Sequence, residues 1–138
     1  MTEVKPLRLA QAYGLAALAF LALDSCWLLS TSQLLYKPAL GALMRDDIAW
    51  LPAVLFYGLY VAGIVVLAVL PGLQQSRWQA ALWRGAVLGL VAYATYDLTN
   101  QATLVGWPLR VTLLDLCWGT FATAVSAGLT CRLTTQTT

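Results

Sequence analysis

The sequence predicts an all-α integral membrane protein, a four-helix bundle with both termini on the cytoplasmic side. Three observations predict it. Of 138 residues, 60% are hydrophobic and only 10% charged, with a mean hydropathy of +0.73; a soluble domain carries about 25% charged residues and under half apolar ones. Four stretches, near residues 9–29, 51–70, 80–104 and 109–129, are long and apolar enough to cross a bilayer, which takes about 20 residues each. Finally, the lysines and arginines are spread unevenly between the two sides that four spans would define.

The first apolar stretch, 9–29, follows Lys5 and Arg8, an arrangement shared with signal peptides, and Leu23, Asp24, Ser25 and Cys26 loosely match a lipoprotein cleavage box. An aspartate where that box needs a small uncharged residue argues against cleavage, so 9–29 is expected to stay as a membrane helix. Residues 37–50 form the only connection with room for structure and are expected to hold a short interfacial helix ending at Pro52. After the second helix, 51–70, residues 71–79 read as a plain cytoplasmic turn opened by Pro71 and Gly72. The third helix, 80–104, meets the fourth, 109–129, across Gly106, Trp107 and Pro108: a helix stop, an interfacial aromatic and a helix start. That spacing predicts a tight hairpin, and the whole of 1–138 reads as one transmembrane domain.

With the N-terminus inside, the cytoplasmic ends hold Lys5, Arg8, Arg77, Arg84 and Arg132, and the outer ends Lys37, Arg45 and Arg110 beside Asp46 and Asp47. The excess of basic residues gives the N-in, C-in orientation. Small residues recur every fourth position on the third helix (Ala81, Gly85, Gly89) and on the fourth (Gly119, Thr123, Ala127), which lets backbones approach closely in lipid.

Composition also excludes function classes. A net charge of +2 with no basic run does not suit nucleic acid. The absence of histidine removes bis-histidine haem, histidine metal sites and a Ser–His–Asp mechanism. Three cysteines are too few for a disulfide framework. No metal and no cofactor is expected.

The chemistry gathers around a repeated phrase, LDSCW at 23–27 and LDLCW at 114–118. Each copy sets an acid inside an apolar run. At 1.5 Å rise per residue, Asp24 lies about 24 Å along its helix from Arg8, Asp97 about 20 Å from Arg84, and Asp115 about 12 Å below Trp107. All three then fall in the outer half of a core about 30 Å thick. Tyr93, Asp97 and Asn100 share one face of the third helix, with Tyr96, Thr99 and Thr103 on an adjoining stripe. Phe56, Tyr57 and Tyr60 reach the same level from the second helix, and Trp27 and Trp118 each follow their aspartate by three residues.

An ionisable side chain inside a membrane costs several kcal/mol unless it is neutral or paired, and it marks function by default. No lysine or arginine lies at this depth. The bland alternative is a set of neutral acids hydrogen-bonded between helices as glue. Cys26 and Cys117 hold matching places in the two copies and could approach each other, although buried cysteine usually packs as a small hydrophobe. Helices one and four run in opposite directions, as an inverted duplication would require, but the residues flanking the two phrases do not match.

Taken together, Asp24 and Trp27, Pro52 and Ala53, Phe56-Tyr57 with Tyr60 and Gly63, Tyr93 with the YDLTN stretch at 96–100, Ala102 and Thr103, Gly106-Trp107-Pro108, and Asp115 with Trp118 and Gly119 resemble one family. It is a family of small bacterial membrane proteins known only as a domain of unknown function. The resemblance runs from about Ala22 to Thr123, with YDLTN its most specific part. It implies four transmembrane helices in a bacterial inner membrane, supplies no activity, and leaves the cysteines outside the pattern.

The resulting expectation is an acidic and aromatic site in the outer half of the bilayer that binds or handles a lipid-like or small molecule, with proton coupling within its chemistry. Its residues are Asp24, Trp27, Tyr57, Tyr60, Tyr93, Asp97, Asn100, Asp115 and Trp118. Membrane lipid is the expected partner. Two alternatives stand beside this reading: an interaction subunit, associating with itself or with a larger membrane complex, and a lipid-modifying enzyme using an aspartate as acid or base.

Overall fold

The computed structural model describes residues 4–136, which fold into four long helices. Helix α1 spans Pro6–Leu43. Pro6 stands in its first turn, where a missing N–H is harmless. The helix runs regularly over Pro6–Thr31, widens into a single π-turn at Ser32–Tyr36, and continues through Lys37–Leu40 into a 3₁₀ turn at Gly41–Leu43. Helix α2 spans Trp50–Gln74 and contains a second π-turn, Val65–Val69. Helix α3 is Trp78–Thr103 and α4 is Leu109–Gln136.

Two connections differ from the expectation. The helical segment expected within 37–50 is the continuation of α1 rather than a separate interfacial helix. Pro52 lies in the first turn of α2 instead of ending a preceding helix, again where its missing donor costs nothing. Pro71 and Gly72 do not open a turn either; they lie inside α2. A proline ring ordinarily strikes the carbonyl four residues back, but the π-turn ending at Val69 widens the ladder just before it. Gly72 serves packing: a methyl group there would meet the Ala81 Cβ at 2.7 Å and the Cys131 Sγ at 3.0 Å. The reversal falls at Gln75, Ser76 and Arg77, with Ser76 at φ 51° and the Arg77 N–H donating to the Gly72 carbonyl at 2.9 Å. The α3–α4 hairpin turns where the sequence places it, with Gly106 at φ +78°.

The closest packing joins α3 and α4, and the two small-residue rows meet there. A Cβ on Gly85 would lie 2.7 Å from the Thr123 carbonyl oxygen, and one on Gly89 only 2.1 Å from that of Gly119. The two helices therefore touch backbone to backbone, as small-xxx-small rows allow in lipid. Gly119 does a second job: the Tyr93 ring lies against it, in space a side chain would fill.

The bundle buries polar groups beside its apolar core of Phe20, Val61, Ile64 and Val69, and turns many large apolar side chains outward. Asp24, Asp97, Asp115, Thr112, Thr123, Ser126 and Thr130 are buried, while Leu18, Leu29, Leu34, Leu59 and Val105 are exposed. In water that distribution would forfeit the hydrophobic effect; against lipid chains it costs nothing, and the polar groups are the ones that need shelter. By length and composition, α1, α2 and α4 qualify as membrane spans among the described residues. Helix α3 has 26 residues but is the most polar of the expected spans, because it carries Arg84, Asp97, Asn100 and Gln101. An Arg8 Nη2 donates to the Thr134 carbonyl at 3.4 Å, so the start of α1 lies beside the end of α4. The start of α1 and the end of α4 therefore sit at one end of the bundle.

Candidate functional site

At the opposite end, a cavity of about 510 Å³ opens inside the bundle. All four helices line it: Asp24, Trp27, Leu28 and Tyr36 from α1, Phe56 and Tyr60 from α2, Ala92, Tyr93 and Tyr96 from α3, and Asp115 and Trp118 from α4. That volume lies within the range of small-molecule sites, about 300–1,000 Å³. The lining residues include two carboxyl groups, seven aromatic rings and no basic side chain.

The repeated LDxCW phrase explains the wall. Asp24 and Trp27, and likewise Asp115 and Trp118, stand three residues apart on one helical face, and the two indoles meet face to face at 4.6 Å with planes 7° apart. The polar contacts then cross between the copies. The Trp118 indole N–H reaches Oδ1 of Asp24 at 3.4 Å. The Trp27 N–H donates to the Tyr36 hydroxyl at 2.8 Å, and that hydroxyl donates to Oδ1 of Asp115. The Tyr57 hydroxyl donates to Oδ2 of Asp24. Each acid thus holds one tyrosine and is linked, directly or through that tyrosine, to the tryptophan of the other copy.

Tyr36 is the residue the sequence reading missed. A regular helix continued from Thr31 would aim it elsewhere: one extra residue in a turn rotates all that follows by about 100°. The π-turn Ser32–Tyr36 supplies that rotation and brings the hydroxyl onto Asp115. Phe56 and Tyr96, recognised in the sequence as lying at this level, also line the cavity. Tyr60 donates to or accepts from the Thr123 hydroxyl at 2.8 Å, and its ring lies 6.4 Å from that of Tyr93 in an edge-on arrangement.

Of the expected site residues, Asp24, Trp27, Tyr60, Tyr93, Asp115 and Trp118 line the cavity. Tyr57 holds Asp24 from behind and faces a second cavity, about 490 Å³, between α1 and α2. Asp97 does not reach the wall. It is fully buried beside Asp115, and no N–H or neutral hydroxyl donor meets either of its oxygens. Two ionised carboxylates in that position repel each other, whereas one proton between them would bond the pair. Asn100 lies further up α3 and engages the Tyr96 hydroxyl. Cys26 and Cys117 are exposed and unpaired, directed away from the site their neighbours build.

The cavity is not closed on every side, since three of its lining residues, Leu28, Phe56 and Tyr96, are exposed. The second half of α2 packs on α3, but its first half, Trp50–Ile64, stands away from that helix.

An all-helical bundle with an apolar exterior and acids in its interior defines a small membrane protein. The chain belongs to the family described as predicted membrane protein (DUF2177), whose model matches residues 9–132. It is a family of membrane proteins of unknown function. No curated protein and no solved structure matches the chain.

Proposed function

We propose that the protein is a membrane-embedded binding protein whose chamber admits a lipid-like or small molecule through the gap between α2 and α3. One observation carries this reading: a chamber of about 510 Å³, walled by aromatic rings and two carboxyl groups, lies where interhelical packing would otherwise be dry. Were the acids only glue, side chains satisfying one another would close the space. Asp24 does serve as a cross-link, since both its oxygens accept from rings on α2 and α4. Asp115, with the buried Asp97 against it, is the chemically available acid.

The same reading orients the chain in a bacterial inner membrane. The termini and the basic residues Lys5, Arg8, Arg77 and Arg132 face the cytoplasm, and the chamber lies in the outer half of the bilayer. Filling the chamber tests the function. Ala92→Trp places an indole in the wall, and molecules extracted from purified wild type and variant are compared by mass spectrometry. A species carried by wild type and lost from the variant is expected; identical extracts from both proteins would defeat the reading.

A further inference from the structure

The chamber's walls specify the charge of what it holds, and this step rests on the binding reading above. Two carboxyl groups, Asp24 and Asp115, contribute to its lining, and no lysine or arginine does. The donors that reach these acids, Tyr57, Trp118 and Tyr36, are neutral groups, so they satisfy oxygens without cancelling charge. Behind the wall stands a third acid, Asp97, fully buried against Asp115 and with no basic group beside it among the described residues. The stacked indoles of Trp27 and Trp118 and the rings of Tyr36, Phe56, Tyr60 and Tyr93 complete the enclosure. Aromatic faces carry negative potential, and they attract a cation most strongly where water is excluded. Anionic headgroups would meet like charge on this wall.

The hydrogen bonds narrow the class further. Three of the four oxygens on Asp24 and Asp115 already accept from the chain's own rings. A primary ammonium brings three N–H donors that compete with these rings for the same oxygens, and each donor left without an acceptor away from water carries a heavy penalty. A quaternary ammonium brings none and binds through ring faces and charge alone. The open side, where Leu28, Phe56 and Tyr96 are exposed, leaves room for an apolar tail to remain among the lipids. We infer that the chamber binds an amphipathic organic cation whose charge is spread over alkyl groups, a quaternary or tertiary ammonium on an apolar chain.

The test uses four probes of equal tail length: decyltrimethylammonium, decylammonium, decanol and decyl sulfate. Each is titrated into the purified full-length protein in dodecyl maltoside, and binding is read from tryptophan fluorescence. The expected order is decyltrimethylammonium tightest, decylammonium weaker, and decanol and decyl sulfate at least about tenfold weaker than the first. Asp115→Asn should abolish the preference for the cation over decanol, and Asp115→Glu should keep it, with thermal melting confirming that both are folded. Should Asp115→Asn fail to fold, Trp27→Leu, which spares the acids, should weaken decyltrimethylammonium more than decanol. Decanol binding as tightly as the cations would overturn the charge assignment while leaving the chamber a binding site. Tighter binding of decylammonium than of its trimethyl counterpart would overturn the alkylated class. Binding of none of the four would defeat this inference, and loss of the extracted species in Ala92→Trp would show separately whether the chamber is occupied by something else.

Discussion

Replacing Gly89 with alanine is expected to force α3 and α4 apart. A methyl carbon there would lie 2.1 Å from the Gly119 carbonyl oxygen and 2.8 Å from the Thr123 hydroxyl. Carbon and oxygen in contact need about 3.3–3.6 Å, so the helices must separate by about 1 Å. The nearest atom, the Gly119 carbonyl oxygen, belongs to the facing backbone, which cannot swing aside as a flexible side chain would. Overpacking of this kind costs about 1–3 kcal/mol. The same shift carries Trp118 away from Asp24, and their contact is already long at 3.4 Å. Gly89→Ala should therefore lower the melting temperature in detergent and also disturb the indole stack, seen as a change in tryptophan emission. Gly63→Ala is the control, since nothing lies within 4 Å of a Cβ at that position. It should be neutral or stabilising, as alanine is the better helix former by about 1 kcal/mol. Equal melting of Gly89→Ala and wild type would refute the backbone contact between α3 and α4.

Asp97→Asn should fold as well as wild type, because an amide N–H can donate to Asp115 where the acid pair would share a proton. Asp97→Leu leaves Asp115 without that partner and should lower stability relative to Asp97→Asn by about 1–3 kcal/mol, while chamber binding weakens in both variants; an unfolded Asn variant would make Asp97 a structural support. Deleting Gln33 returns the Ser32–Tyr36 turn to regular register and should swing Tyr36 off Asp115. Its tryptophan emission should then match that of Tyr36→Phe, and a spectrum like wild type would mean the π-turn does not place Tyr36. Reporter fusions at Gln75 and Asp46 should give opposite signals, cytoplasmic and external; a cytoplasmic Asp46 would reverse the orientation and the depth assigned to the chamber.

Much of this fold is legible in the sequence because lipid imposes simple demands. Long apolar runs, Gly106 at the hairpin and the fourfold spacing of Ala81, Gly85 and Gly89 each answer to one local rule, and each is met. Asp24, Asp97 and Asp115 could be brought together by counting rise per residue alone. What counting cannot give is rotation. The π-turn before Tyr36 leaves no mark in composition, and without it a tyrosine beyond the expected end of the first helix has no reason to reach Asp115. Rotation also decides that Asp97 stands behind Asp115 instead of beside it on the wall, and that the two cysteines of the repeat point outward. Pro71 and Gly72 mislead for a related reason: the residues of an ordinary turn are tolerated within α2 once a π-turn precedes them.

A photo-crosslinking amino acid at position 92, in the chamber wall, tests the central claim most directly, with a second at position 59, where Leu59 is 77% exposed. Irradiation in native membranes followed by mass spectrometry reads what lies against each position. Position 59 should capture the mixture of bulk lipids. Position 92 should capture one defined small or lipid-like species, and the same bulk mixture at both positions would contradict a selective chamber.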